Sequence, residues 1–111
     1  MVLVVAATHY EGDPPDNTRN FHKWQKKLLK DSKKESLKPW NGMDFAIFGL
    51  GDRSYEQFNE IGKQFDANFE TLGAQRLKEM ECADAETFST ENDFNHWKEN
   101  LWTTLFTHYT K

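Results

Sequence analysis

The feature that most constrains the fold is an uncharged apolar run, VLVVAA at residues 2–7, followed by a stiff polar segment. A run of this kind predicts a strand that is buried on both faces of a sheet. The next segment, THYEGDPPDN at residues 8–17, contains Pro14 and Pro15. Because neither proline has a backbone N–H that could continue a ladder, the strand is expected to end in a turn there.

Helical and strand patterns then alternate along the chain. Asp16 or Asn17 is predicted to cap a first helix, whose apolar stripe is Phe21, Trp24 and Leu28. This helix is expected to give way to a polar connector, KDSKKESLKPWNG, which precedes a second apolar strand at residues 44–50.

The second half of the chain continues this order. Ser54 with Gln57 predicts a capping box for a second helix, which Gly73 is expected to end. A weaker strand is predicted at residues 75–81, and Thr90 with Asp93 is predicted to cap a third helix. The apolar residues at helical spacing in these two helices are Phe58, Ile61, Phe65, Phe69, Leu72, Phe94, Trp97, Leu101 and Leu105. Alternating strands and helices predict an α/β fold, an open parallel sheet with right-handed crossovers and flanking helices.

In an open parallel sheet, ligands bind at the carboxyl ends of the strands. Three predicted loops share that edge here, at residues 8–17, 49–58 and 81–89. Gly49 and Gly51 would allow a ligand to approach the backbone, and Tyr55 offers a flat ring. These features favour a planar heteroaromatic ligand. Plain packing stays open as an alternative, because glycine pairs at strand ends are common and such a tyrosine often only packs.

Composition and charge exclude several classes of protein. The chain has 111 residues and a formal net charge of -4, which argues against a nucleic-acid binder. Its one cysteine, Cys82, allows no internal disulfide, and no apolar run approaches the ~20 residues of a membrane span. Residues 22–38 carry seven lysines against Asp31 and Glu35, a pattern typical of a solvated surface. Residues 79–93 carry six acids and no base.

Four motifs occur in an order that resembles one known family. They are A-T-x-x-E-G-D-P-P-D-N, F-A-I-F-G-L-G-D-x-S-Y-E-x-F-N, L-G-A-Q-R-L and D-F-x-x-W-K-x-x-L-W. Together they resemble the flavodoxin-like FMN domain of the diflavin reductases, such as the NADPH–cytochrome reductases and the sulfite reductase flavoproteins. The resemblance extends from Val2 to about Phe106.

The resemblance implies a set of residues that bind FMN. Tyr55 matches the tyrosine that stacks on the flavin, and Asp84 matches an acidic position near it. Asp84 and Glu86 also resemble part of the family's docking surface for a basic electron acceptor, although plain solvation is the alternative. The whole set that the resemblance assigns to the cofactor is Ala7, Thr8, His9, Tyr10, Gly12, Leu50, Gly51, Asp52, Ser54, Tyr55, Gln57, Phe58, Asn59 and Asp84.

The chain departs from the family pattern in two ways. The family has an aromatic residue and then a glycine where this chain has His9 and Tyr10. The family's phosphate-binding loop lies before the third strand, which is where the resemblance begins. We therefore expect residues 1–111 to form the part of an FMN domain from its third strand to its last helix, with the N-terminal strands and the phosphate loop missing. FMN binding by this chain alone is expected to be weak or absent.

The predicted function is that of an FMN module in an NADPH-dependent diflavin reductase, which passes single electrons from FAD to a protein acceptor. The expected partners are an FAD/NADPH reductase domain and an acceptor near Asp84 and Glu86, with self-association through an edge strand at Val2 to Val5. The location is expected to be cytoplasmic, or the cytosolic face of a membrane through a segment not present here. No catalytic or metal-binding residue is predicted. The alternative function is a flavin-free interaction domain that binds a protein partner.

Overall fold

A computed structural model describes residues 1–8, 12–52, 59–87 and 89–110. The elements follow the predicted alternation of strands and helices. In chain order they are β1 (Val2–Ala7), α1 (Arg19–Glu35), β2 (Asp44–Gly51), α2 (Glu60–Thr71), β3 (Gln75–Arg76), β4 (Glu81–Asp84), a 3-10 turn (Ala85–Thr87) and α3 (Thr90–Tyr109).

All described strands are parallel, and β2 lies at the centre of the sheet. It pairs with β1 on one side, from Val2 opposite Phe45 to Ala7 opposite Leu50. On the other side it pairs with both β3 and β4. The parallel sheet with flanking helices confirms the predicted fold class.

The predicted third strand at residues 75–81 is wrong as a continuous element. Gln75 lies opposite Asp44, whereas Glu81 lies opposite Phe48, so the register on β2 shifts by two residues between β3 and β4. The segment between Arg76 and Glu81 is thus two residues longer than the part of β2 that it passes, and strand pairing with β2 is interrupted along it. Strand pairing therefore resumes at Glu81 and continues to Asp84, where the sequence predicted a loop to begin.

Each face of the sheet is covered by one helix, as the apolar periodicity predicted. Ile61, Phe65 and Phe69 of α2 pack with Phe45 and Ile47 on one face. On the other face, α3 covers the sheet with three buried side chains, which are Trp97, Leu101 and Leu105. Two neighbouring residues also behave as predicted: Leu72 is fully buried, and Gly73 follows α2 with a φ of 106°, which favours glycine. The third helix begins one residue from the predicted cap, because Ser89 is its N-cap.

The expectation that β1 is buried on both faces is wrong. Only β2 pairs with β1 among the described strands, so β1 is an edge. Leu3 and Val5 are 45% and 47% exposed on one face. Val2 and Val4 are half-buried on the other face, where they pack against the α2 core. The apolar run correctly predicts a strand, but apolar residues do not by themselves supply a second covering layer.

The first helix also differs from its prediction. Its N-cap is Thr18, and it continues to Glu35, so it includes much of the segment predicted as a connector. The predicted apolar stripe is largely exposed, with Phe21 and Trp24 41% and 53% exposed. The buried face is instead polar, because it packs against polar residues of α2. The buried residues of α1 are His22, Gln25 and Ser32.

Hydrogen bonds fix this polar face of α1 on α2. His22 Nε2 lies 2.6 Å from Gln64 Oε1. Asn68 Nδ2 donates to Gln25 Oε1 at 3.2 Å. Because buried polar groups are costly without partners, these bonds specify which side of α1 faces the protein.

Candidate functional site

The carboxyl ends of β1, β2 and β4 meet at one edge of the sheet, hereafter the rim. Thr8 follows β1 and joins three elements there. Its backbone N–H donates to Leu50 O of β2 at 3.1 Å. Its side-chain Oγ1 accepts from the backbone N–H of Ile61 at 2.9 Å and so satisfies a free donor in the first turn of α2. Thr8 therefore ties the end of β1 to β2 and to the first turn of α2.

Asn59 is the second organising residue of the rim, and it is completely buried. Its backbone is left-handed, with a φ of 56°, a conformation that asparagine tolerates better than most residues. Its side-chain Nδ2 donates to Ala83 O at 3.3 Å, which links α2 to β4. Its Oδ1 is buried and has no hydrogen-bond partner within the described part of the chain.

The Asn59 side chain fills the space beside the two glycines of β2. A Cβ built on Gly49 would lie 2.6 Å from Asn59 Oδ1, and one on Gly51 would lie 2.8 Å from Asn59 Cγ. On the side where a Cβ would stand, the space is therefore filled by the protein itself, and approach of a ligand to the backbone of these glycines stays a prediction. Both positions need glycine because the chain's own asparagine occupies that space.

A third glycine, Gly62, lets α2 approach the sheet at the same end. A Cβ on Gly62 would lie 2.8 Å from Met80 Cε and 3.2 Å from Gly49 Cα. Gly62 and Met80 support the rim but were not predicted to do so. A glycine inside a helix was the available signal, because glycine there costs stability without a packing reason.

Acidic side chains converge where β2 and β4 end. Asp84 is 6% exposed, and its Oδ1 accepts the backbone N–H of Glu86 at 3.1 Å. The carboxylates of Asp52, Asp84 and Glu86 can all lie within 4.8 Å of one another, a group we call the acidic corner. Exposed acidic groups commonly lie this close without a cation, so the corner alone does not indicate a metal site.

The rim brings together seven of the predicted cofactor residues. Strand pairing and the contacts above place Ala7, Thr8, Leu50, Gly51, Asp52, Asn59 and Asp84 at this edge. The other predicted residues are either elsewhere or not described. Gly12 lines a separate groove of about 480 Å³ against α1, with Arg19, His22 and Gln64. The remaining six, His9, Tyr10, Ser54, Tyr55, Gln57 and Phe58, lie outside the described residues, as does the predicted capping box.

Cys82 lies on β4 close to the rim but lacks the properties of an activated nucleophile. It is half-buried, and this burial raises the pKa of its thiol, an effect that the nearby charge of Lys63 only partly opposes. A raised pKa keeps the thiol protonated at neutral pH, whereas a reactive cysteine needs the thiolate. Cys82 is thus a packing residue of the strand.

Comparisons with known proteins agree with this geometry. The flavodoxin family model matches residues 1–97. The chain is 38% identical over 109 residues to the NADPH–cytochrome P450 reductase of Homo sapiens, which covers 98% of this chain and 15% of that protein. It is 39% identical over 101 residues to the reductase of the same name from Dictyostelium discoideum, which covers 91% of this chain and 14% of that protein. The chain therefore spans only about one seventh of the length of these relatives.

Among solved structures, a cysteine-to-serine mutant of flavodoxin from Pseudomonas aeruginosa superimposes with a TM-score of 0.73 at 30% identity. The match covers 93% of this chain and 65% of that flavodoxin. In the described part of this chain, no helix is both long enough and apolar enough to cross a bilayer. The family match, the sequence relatives and the parallel sheet lead to one conclusion: the chain belongs to the flavodoxin family.

Proposed function

We propose that this chain is the FMN-binding electron-transfer module of an NADPH-dependent diflavin reductase. In this role it passes single electrons from FAD in a reductase domain to a protein acceptor. The observation that carries the proposal is the rim, where three strand ends meet and seven of the fourteen predicted cofactor residues, Thr8 and Asn59 among them, lie together. FMN, when bound, supplies the one-electron chemistry. The chain supplies orientation, shielding from water and local charge.

The described rim residues suit a flat ring better than a phosphate. Leu50 and Gly51 end β2 between β1 and β4, and the uncharged Asn59 side chain lies beside Gly51. None of the seven rim residues is cationic, and the acidic corner would repel a dianionic phosphate. We therefore expect this chain alone to bind FMN weakly.

Charge at the rim also favours a basic electron acceptor. Asp84 is nearly buried, so it acts on a partner mainly through its long-range field. Glu86 is exposed and can contact a partner directly. Complementary charge mainly accelerates encounter, and rim charges are strongly screened by salt. A reductase with this module should therefore reduce a basic acceptor more slowly as ionic strength rises.

Titration of the 111-residue chain with FMN, followed by quenching of flavin fluorescence, tests the proposal. We expect saturable binding with a dissociation constant above the micromolar range, since a phosphate normally gains several charge-assisted bonds that are worth about 1.5–3 kcal/mol each. Tyr55→Ala should weaken this binding. Tyr109→Ala is the matched control, because Tyr109 donates a hydrogen bond to Asp44 at the opposite end of β2.

Submicromolar binding would contradict the expected weakness, and equal effects of the two tyrosine substitutions would contradict the assignment of the ring site. A second candidate function is a flavin-free interaction domain. It is favoured by the lack of a cation among the described rim residues and by His9 and Tyr10 in the first loop. No detectable FMN binding at millimolar concentration, together with a folded chain, would favour that second function.

A further inference from the structure

The lysines of α1 form one continuous stripe along the helix. The helix carries seven cations, at spacings of three, four and seven residues: Arg19, Lys23, Lys26, Lys27, Lys30, Lys33 and Lys34. At 3.6 residues per turn, these positions fall within an arc of about 120°. From first to last they extend about 22 Å along the axis at 1.5 Å per residue. We call these seven residues the basic stripe.

Six of the seven cations of the basic stripe are not neutralised by their surroundings. Its six lysines are exposed, and none forms an ion pair within the part of the chain that the structure describes. Arg19 pairs with Asp16 at 2.6 Å. The two acids of the helix, Asp31 and Glu35, fall outside the arc. With seven cations and two acids, α1 carries a net charge of +5 in a chain whose net charge is -4.

The fold keeps the stripe on the solvent side. Gln25 and Ser32, two of the buried residues of α1, lie on the opposite side of the helix from the stripe, and the buried His22 borders the stripe. Hydrogen bonds from this buried face to Gln64 and Asn68 hold the helix at a fixed rotation. The stripe therefore presents its charge in one direction from a rigid element, in contrast to a flexible basic tail.

We propose that the basic stripe docks the protein on an anionic lipid bilayer. The residue types favour a bilayer over an acidic protein. Lysine is depleted in protein–protein interfaces, where arginine is preferred for its planar bidentate contacts. Six of the seven stripe residues are lysine, and the one arginine is already paired. Lysine is a flexible point charge, which suits the diffuse charge of lipid headgroups.

The remaining charge of the molecule separates a bilayer from a nucleic acid. Because α1 contributes +5 to a chain of -4, the rest of the chain carries -9. A nucleic acid is a long polyanion, so it would extend beyond α1 and come close to this negative charge, which would repel it. A planar bilayer can contact the stripe on one helix, while most acidic residues of the chain lie on other elements. Attraction between the stripe and the anionic lipids then favours one orientation of the chain on the bilayer, with α1 facing the membrane.

Co-sedimentation of the full 111-residue chain with vesicles tests the proposal. The probes are phosphatidylcholine vesicles with 30% phosphatidylserine and vesicles of phosphatidylcholine alone. Each lysine close to an anionic membrane contributes about fivefold in affinity. We therefore expect Lys26→Gln with Lys30→Gln to weaken binding to the anionic vesicles about 25-fold. The same substitutions to arginine should retain binding within about threefold, because the charge is kept.

The matched control is Lys63→Gln with Lys98→Gln, which makes the same change of net charge on α2 and α3. It should change vesicle binding less than twofold, and circular dichroism should show that all variants are folded. Binding should also fall as NaCl rises from 0.1 to 0.5 M. Equal binding to neutral vesicles, equal effects of the two glutamine pairs, or tighter binding to polyglutamate or duplex DNA than to the anionic vesicles would each overturn the proposal.

Discussion

Gly51 lies against the side chain of Asn59, and replacing this glycine with alanine should destabilise the protein through that one contact. The new Cβ would lie 2.8 Å from Asn59 Cγ, 2.8 Å from Nδ2 and 2.9 Å from Oδ1. Asn59 cannot move away easily, because it is fully buried and bonded to Ala83 O. Overpacking of this kind costs about 1–3 kcal/mol in free energy of unfolding.

Asn59→Gly provides the partner substitution for a double-mutant cycle. It removes the hydrogen bond to Ala83 O, at a cost of about 0.5–1.5 kcal/mol, and leaves a small cavity. Glycine offsets part of this loss, because it adopts the left-handed φ of 56° without side-chain strain. The strain relieved is about 1 kcal/mol. In the double variant the new methyl group meets no asparagine. The double variant should therefore lose about 1–2 kcal/mol less free energy of unfolding than the sum of the losses of the two single variants.

Urea unfolding followed by tryptophan fluorescence measures each free energy in the cycle. Gly42→Ala serves as the control, because Gly42 has a φ of 91° but a Cβ there would have no neighbour within 4 Å. Gly42→Ala should lower the free energy of unfolding by about 1 kcal/mol on its own. Combined with Asn59→Gly, its loss should equal the sum of the two single losses within about 0.5 kcal/mol. Strict additivity of Gly51→Ala and Asn59→Gly would refute the conclusion that Asn59 fills the space beside Gly51.

Three further predictions concern the sheet and its edge. Arg76→Gln should lower the free energy of unfolding by about 1–3 kcal/mol, because Arg76 makes two hydrogen bonds to the Asp66 carboxylate, at 3.0 and 2.9 Å; chemical denaturation measures the loss. Sedimentation velocity should show self-association of the chain through the exposed β1 edge. Val5→Lys should weaken this self-association and leave the chain folded. Val4→Lys should unfold the chain, because of these two residues only Val4 packs against the core. Burial raises the pKa of Cys82, so stability should fall as pH rises above the pKa of an unfolded cysteine, and Cys82→Ser should reduce that fall in pH-dependent denaturation.

The order of elements and the two core faces could be predicted because each depends on local periodicity. Residues at helical spacing in α2 and α3 are the ones that pack on the sheet, as expected. The second strand was predicted at residues 44–50, and the structure extends it by one residue. In these two helices an apolar residue at every third or fourth position marks the buried face, whereas the same spacing in α1 leaves Phe21 and Trp24 exposed. These predictions succeeded because they did not require the identity of the partner.

Contacts between distant segments could not be predicted in the same way. Thr8 caps α2 from a position 53 residues earlier in the chain, so the sequence around Ile61 contains no sign of it. The amide of Asn59 fills the space beside Gly51, a contact that nothing in the sequence around Gly51 indicates. Such contacts depend on which strand ends become neighbours, and that is known only after the sheet has formed.

The sequence by itself determined the α/β alternation and the motifs of the family, and it predicted that the strand ends share one edge, because local patterning and residue type are sufficient for each. The tertiary structure decided three other features. It left one face of β1 exposed at Leu3 and Val5, it divided the last strand in two, and it turned the polar face of α1 inward. The physical reason is that local pattern describes how much surface an element should bury. Which surface is buried depends on the hydrogen-bond partners that other elements bring, as Gln64 and Asn68 do for α1.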